Sequence, residues 1–241
     1  MSSNSLLEPP SNRGIDSRSR VPPLEPGDEL TRDEFERRYQ AMPGVKKAEL
    51  IEGIVHMPSP VRWNQHALPH AECLTWLGVY FAGTPGVQAG DNGSLLLDMD
   101  NEPQADAALI IEPRCGGQVQ ISEDDFIVGA PELVAEIAAS SASIDLRKKK
   151  QIYRRNQARE YLVWQVLDMR IDWFVLRDGE FQPLQPDENG ILRSATFPGL
   201  WLDVKSLLEG NLSQVLKVLQ AGIASDEHSQ FVARLQAAAQ I

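Results

Sequence analysis

The sequence has few cysteines and no long apolar run. Its two cysteines, Cys73 and Cys115, are far apart in the chain and do not form the close pairs that mark zinc ribbons or redox dithiols. No segment reaches the roughly 18 uninterrupted apolar residues of a membrane-spanning helix, and residues 1–14 lack the apolar core of a signal peptide. We therefore expect no membrane segment and a cytoplasmic location.

An excess of basic charge is also missing. The formal net charge is -11, which argues against avid, non-specific binding of nucleic acid by the chain as a whole. One stretch between Asp145 and Glu160 is the exception, because it holds seven basic residues and no acid. Its candidate nucleic-acid-binding residues are Arg147, Lys148, Lys150, Arg154 and Arg155.

The motifs of several common enzyme classes are absent. There is no Gly-rich phosphate loop, no Ser-centred nucleophile elbow and no paired Cys/His zinc spacing. His66 and His70 are four positions apart, as in helical zinc pairs, but no Glu follows His66 and Pro69 disturbs the helical register. A zinc hydrolase is thus a minor alternative, and the acids Asp98, Asp100 and Glu102, which lack calcium-loop spacing, are predicted to form a solvated turn.

Length and patterning predict one well-buried core of the α+β class, a mixed β-sheet flanked by helices. Residues 1–28 are rich in proline and serine and predict a disordered arm; 29–208 would form the domain and 209–241 a carboxyl-terminal helical extension. Helices are expected at 31–42, 65–81 and 144–156, with two or three more over 204–239. Strands are expected at 47–57 (a hairpin), 94–97, 105–111, 118–121, 131–137, 161–166 and 171–176.

Two acids interrupt predicted apolar strands. Glu136 lies within Leu133–Ala139, and Asp106 precedes Ala107–Ile111. Burying an unpaired charge costs several kcal/mol. Two neighbouring carboxylates would also repel unless a divalent cation lay between them, although pairing with a buried arginine is an equally open structural explanation.

The helix predicted after Glu136 presents Asp145, Lys149 and Tyr153 on one face, at i, i+4 and i+8. An ammonium group there could orient a nucleophile or stabilise developing charge at a metal site that hydrolyses a phosphodiester. On spacing alone, a solvated helix face explains Lys148–Lys150 better.

Several short motifs together resemble the Uma-type restriction endonuclease family, over about residues 30–208. They are Ala48–Gly53, His66, Gln104–Asp106, Ala130–Ile137, Asp145, Lys149, Tyr153 and Glu160–Tyr161. The resemblance implies a restriction-endonuclease-like, PD-(D/E)XK core in which Asp106 and Glu136 bind Mg²⁺ or Mn²⁺. It also implies a catalytic Lys149 that has moved from the strand, where Ala138 now stands, to the next helix, and Glu49 as an additional metal ligand.

This chain departs from the family pattern at Ala105, where proline is usual, and at Gln165, where aspartate is usual. The function that the resemblance implies is metal-dependent endonucleolytic cleavage, with DNA as the expected nucleic acid and a homodimer as a further expectation. The alternative is a catalytically weak relative that uses the same fold for binding or dimerisation.

Overall fold

The computed structural model describes residues 21–57, 61–139 and 144–240. Residues 1–20 of the predicted disordered arm lie outside this part of the chain. Within residues 21–28 the side chain of Leu24 is buried against Phe35, Leu50 and Val55. The arm therefore stays a prediction for the segment before it.

The described part of the chain contains thirteen short strands and six α-helices. In chain order, the strands are β1 (Glu49–Ile51), β2 (Ile54–His56), β3 (Val87–Asp91), β4 (Leu95–Leu96), β5 (Ala107–Ile111), β6 (Gln120–Ile121), β7 (Ile127–Val128), β8 (Leu133–Ala138), β9 (Glu160–Gln165), β10 (Arg170–Arg177), β11 (Glu180–Pro183), β12 (Ile191–Arg193) and β13 (Trp201–Asp203). The α-helices are α1 (Arg32–Gln40), α2 (Leu68–Ala82), α3 (Lys150–Arg155), α4 (Val204–Leu208), α5 (Leu212–Ile223) and α6 (Asp226–Ala238). A π-helical turn precedes α2 (Trp63–Ala67), and another precedes α3 (Asp145–Lys149).

A six-stranded sheet in the order β11-β10-β9-β8-β5-β3 forms the centre of the fold. Within this sheet, β8 and β9 pair in parallel, because the segment that connects them contains α3. The other neighbouring strands of the sheet pair antiparallel. The predicted α+β class with a mixed sheet flanked by helices is confirmed. The predicted hairpin is also present, as β1 and β2.

Both faces of the central strands are buried, which explains their continuous apolar runs. All six residues of β8 and all six of β9 are buried. Leu133, Ala135 and Ile137 point to one core, together with α2. Val134 and Ala138 point to the opposite core, which α3 covers with Tyr153. Glu136 lies between Ala135 and Ile137 in β8, so its side chain points to the opposite face, which α3 covers.

The carboxyl-terminal helices pack on the same core as α2. Val215 and Leu219 of α5, with Phe231 and Leu235 of α6, are buried in one cluster with Trp76. The three helices confirm the expectation of two or three over this region, while the division at residue 208 stays a prediction.

The sequence did not predict the edge strands, and one local prediction was wrong. β3 has the sequence VQAGD with a single buried residue, so its strand conformation depends on pairing with β5. Glu102 is 2% exposed rather than part of a solvated turn.

Candidate active site

Asp106 lies at the end of an interior strand of the central sheet, immediately before the first residue of β5. The ladder pairs Ala107 with Ala135, so the next position places Asp106 opposite Glu136. The backbone N–H of Ile137 donates to Asp106 Oδ2 at 2.9 Å. Neighbouring strands therefore bring the two acids together, as the sequence predicted.

Two further side chains hold the Asp106 carboxylate. Lys47 Nζ is 3.0 Å from Oδ1, and His66 Nε2 is 3.2 Å from Oδ2. Burial of Asp106 opposes its ionisation, but the hydrogen bond from His66 and the charge of Lys47 outweigh burial and hold the pKa of this carboxyl well below its usual value. Asp106 is thus a buried carboxylate that stays ionised.

Glu136 faces α3 and shares one oxygen between two donors. Lys149 Nζ lies 3.1 Å from Glu136 Oε1, and the Tyr153 hydroxyl donates to the same atom at 3.1 Å. Burial raises the pKa of Glu136, and the charges of Asp106 and Asp145 raise it further, whereas Lys149 lowers it. The sequence left open that an arginine neutralises this glutamate; among the described residues, the cation that contacts Glu136 is Lys149 instead.

Lys149 is the cation at the centre of this arrangement. Its Nζ is 2.9 Å from Glu49 Oε1 and 3.6 Å from Asp145 Oδ1, in addition to the contact with Glu136. Although burial disfavours its charge, the carboxylates of Glu136 and Glu49 raise the pKa of Lys149 well above its usual value. Lys149 is therefore an ammonium group buried among carboxylates.

Glu49 reaches the same site from β1. It is 8% exposed, and its Oε1 accepts a hydrogen bond from the Gln104 backbone N–H at 2.9 Å as well as contacting Lys149. The structure thus brings together Asp106, Glu136, Lys149 and Glu49, which are all four of the predicted catalytic and metal-binding residues. Their chemical roles stay predictions.

The two histidines of the candidate zinc pair also face Asp106. His70 Nε2 is 2.7 Å from the Asp106 carbonyl oxygen, which can only accept, so this nitrogen donates. His66 Nε2 points to the Asp106 carboxylate, and its buried Nδ1 has no hydrogen-bond partner among the described residues. With both Nε2 atoms engaged by Asp106, this arrangement does not favour zinc binding by the pair.

The predicted nucleic-acid-binding residues divide into two groups. Arg147 and Lys148 are exposed. By contrast, Arg155 pairs with Glu52 at 2.6 Å, Arg154 pairs with Glu180, and Lys150 lies 3.3 Å above the Phe174 ring. Three of the five cations therefore already have partners within the chain.

The donor set suits a hard divalent cation by its chemistry. Among the described residues, the carboxylates of Glu49, Asp106 and Glu136 face two ammonium groups, those of Lys47 and Lys149, so three ionised acids would leave negative charge uncompensated. In the described ranges, no three His, Cys, Asp or Glu side chains already stand together as a metal-binding group. Carboxylate oxygens are ligands that suit Mg²⁺ or Mn²⁺, but the described side chains are not arranged as a complete set of metal ligands.

Sequence reasoning missed Lys47 and assigned no catalytic part to His66. Lys47 lies two positions before Glu49, the first residue of β1. Side chains two positions apart on an extended chain point to the same side, so this spacing could have placed both residues together. The contact of Lys47 with Asp106 spans 59 positions and has no signal in local sequence.

Comparison with known proteins gives the fold and the family. No curated protein matches the sequence. Among solved structures, one similar chain is a "putative nuclease belonging to DUF820" from Anabaena variabilis, with a TM-score of 0.55 and 15% identity over 72% of this chain and 96% of that chain. At that identity the likeness concerns the fold alone.

No helix in the described ranges has both the length and the apolar character needed to cross a bilayer.

The family model described as "Putative restriction endonuclease" matches residues 32–205, which include every residue of the candidate site. The chain therefore belongs to the Uma2 family of "putative restriction endonucleases".

Proposed function

We propose that the protein is a Mg²⁺- or Mn²⁺-dependent endonuclease that hydrolyses phosphodiester bonds of nucleic acid, with DNA as the expected substrate. The main support is that three side chains converge: Asp106 from the start of β5, Glu136 from β8, and Lys149 from the π-helical turn before α3. Membership of the family supports the reaction class. A cytoplasmic location is part of the proposal.

Asp106, Glu136 and Glu49 are the residues that would hold the cation. When bound, the cation would polarise the phosphate and lower the pKa of a water molecule. The protein's own groups prepare the site: His66 and the Ile137 N–H orient Asp106, and Tyr153 orients Glu136. The Lys149 ammonium is placed to stabilise charge that develops on the phosphate.

Metal-dependent stabilisation tests whether these acids bind the cation. Mn²⁺ should raise the melting temperature of the native protein, because at a hundred times Kd a ligand adds about 2.7 kcal/mol. The shift should vanish in Asp106→Ala and in Glu136→Ala but persist in Glu188→Gln, an exposed control. No shift in the native protein would contradict metal binding.

Cleavage of supercoiled plasmid with Mn²⁺, stopped by EDTA, tests the reaction. We expect nicked or linear product from the native protein and none from Glu136→Ala or Lys149→Ala. Product that persists in both variants would come from another site or a contaminant.

The exposed residues Arg147 and Lys148 are proposed to contact the nucleic-acid backbone. Replacing each by alanine should weaken binding at all sequences and reduce the salt dependence, since each lost phosphate contact changes the slope of log K against log salt by about 0.9. The Arg155→Ala variant is the matched comparison: its pairing with Glu52 and Asp98 predicts a smaller effect on binding. Equal effects of all three changes would contradict this interface.

A binding or dimerisation module is the second candidate. It is favoured by the internal pairing of Arg154 and Arg155 and by the net charge of -11. A protein that forms a homodimer in sedimentation experiments, shows no Mn²⁺-dependent stabilisation and leaves plasmid intact would support this candidate.

A further inference from the structure

A small cavity between α1 and the segment before β5 lies outside the candidate active site. Its volume is about 230 Å³, smaller than the roughly 300–1,000 Å³ of pockets for drug-sized ligands. Two acids, Glu36 and Glu102, and two aromatic rings, Tyr39 and Phe126, line it, together with apolar side chains that include Met42 and Val45.

Glu102 is the feature of this cavity that the fold does not explain. Its side chain is 2% exposed, and its Oε2 has no hydrogen-bond partner among the described residues. Burial raises the pKa of Glu102 to about 8, and the charge of Glu36 acts in the same direction. A buried polar atom without a partner is unfavourable, because it has lost its hydrogen bonds to water without replacing them.

The nearest guanidinium group does not satisfy Glu102. Arg32 Nε lies 3.2 Å from Glu36 Oε1, and Arg32 Nη1 donates to the Asp98 carbonyl oxygen at 3.2 Å. Arg32 therefore pairs with Glu36 and the backbone and acts on Glu102 through its charge, while Arg32 Nε and Glu102 Oε2 both lack a hydrogen-bond partner among the described residues. Glu102 thus keeps an oxygen that could accept from a bound donor.

The lining selects one chemical class of ligand. Phosphates and carboxylates would be repelled by the Glu36 carboxylate, and a neutral apolar group would leave Glu102 Oε2 without a partner. Metal binding is disfavoured, since the described residues supply no third His, Cys, Asp or Glu here and the walls are aromatic and apolar. Carboxylates beside aromatic faces bind organic cations, through charge and through cation–π contact.

We propose that this cavity binds the end of a primary alkylammonium or alkylguanidinium ion, with Glu36 as the counter-charge, Glu102 Oε2 as a hydrogen-bond acceptor, and Tyr39 and Phe126 beside the cation. The chemistry is shared by small free amines and by lysine or arginine side chains of a partner protein. The cavity has room for one such group. The site is independent of the proposed nuclease function.

Calorimetric titration of the full chain with n-butylammonium and n-propylguanidinium chloride tests the proposal, with sodium chloride at equal ionic strength as the blank. We expect saturable binding that weakens at least about tenfold in Glu102→Gln, because a hydrogen bond to a charged group contributes about 1.5–3 kcal/mol. Glu188→Gln, an exposed control, should bind as the native protein does.

Two further variants keep the result interpretable. Phe126→Leu removes the ring while leaving both acids, so it should weaken binding even if Glu102→Gln fails to fold. Asp106→Asn should bind the cations normally, which separates this site from the active site. Absence of saturable binding, or equal binding in the native protein and both cavity variants, would overturn the proposal.

The source of the natural ligand is read from a second titration. A blocked peptide with one lysine or arginine that binds about tenfold tighter than the free amine would assign the cavity to a partner's side chain. Equal affinity would assign it to a small free amine. Either result supports the cation site.

Discussion

At the scale of single residues, the buried acids of the active site are held by specific donors. Asp106 has Lys47, His66 and the Ile137 N–H, whereas Glu136 has Lys149 and Tyr153. Burial raises the pKa of both acids; the donors to Asp106 outweigh it and lower the pKa of that carboxyl, whereas at Glu136 burial and the neighbouring acids outweigh Lys149 and the pKa rises. Asp106 is ionised and able to bind a cation, whereas ionisation of Glu136 is favoured by the ammonium group of Lys149.

Replacing Lys149 by methionine should destabilise the fold strongly. The change removes the cation that contacts Glu49 and Glu136, and breaking a buried pair by removing one partner costs about 3–5 kcal/mol. Urea denaturation at pH 7 measures this loss. Lys205→Met, at a side chain that is 84% exposed, should change stability by less than about 0.5 kcal/mol. A loss below about 1 kcal/mol in Lys149→Met would show that the carboxylates are satisfied in another way.

Replacing Asp106 by asparagine should cost stability in a pH-dependent manner. Because the pKa of Asp106 in the folded state is lowered from 3.8, its carboxylate stabilises the fold above that value and loses this contribution as the pH falls through the folded-state pKa. We expect a loss on the order of 2–3 kcal/mol at pH 7 that shrinks toward pH 3. Unfolding of Asp168→Asn, an exposed control, should follow the native protein at both pH values. A constant deficit would contradict the assignment.

At the scale of secondary-structure elements, two π-helical turns place site residues. His66 lies on the turn before α2, and Lys149 ends the turn before α3. Such turns are rare and occur often at functional sites. Each turn leads directly into the helix that follows it, so His66 and Lys149 lie next to the starts of α2 and α3.

The contact between α5 and the loop before β13 depends on two glycines. A methyl group at Gly222 would lie 2.2 Å from the Gly199 carbonyl oxygen. Gly222→Ala should therefore cost about 1–3 kcal/mol through overpacking against backbone. Gly78→Ala in α2, where nothing lies within 4 Å, should be neutral or stabilising. Thermal denaturation compares them, and equal melting temperatures would show that α5 shifts at no cost.

At the scale of the whole molecule, the carboxyl-terminal helices and the sheet share one core. A chain ending at Leu208 loses α5 and α6 and exposes the surface that Val215, Leu219, Phe231 and Leu235 cover. We expect a lower melting temperature and binding of a hydrophobic dye, because several buried apolar side chains each contribute about 1.5–3 kcal/mol. A truncated chain as stable as the native one would support 209–241 as a separate extension.

The central elements were predictable because their residues report burial directly. β5, β8, β9 and β10 contain apolar runs, and the charges of Asp106 and Glu136 stand out against them. The edge strands β3 and β11 were not predicted, since each is largely exposed and is ordered by its neighbour. Lys47 was missed for a related reason, because its partner is remote in sequence.

The amino-acid sequence by itself determined which segments form the four central strands of the sheet, which acids interrupt them and which helix face presents Lys149, because these follow from local periodicity. Only the tertiary structure decided that Lys149 pairs with Glu49 and Glu136, that Arg155 is bound by Glu52, and that Glu102 is buried. The physical reason is that burial and ionic pairing depend on distances between residues far apart in the chain, and those distances exist only after the sheet and helices have packed.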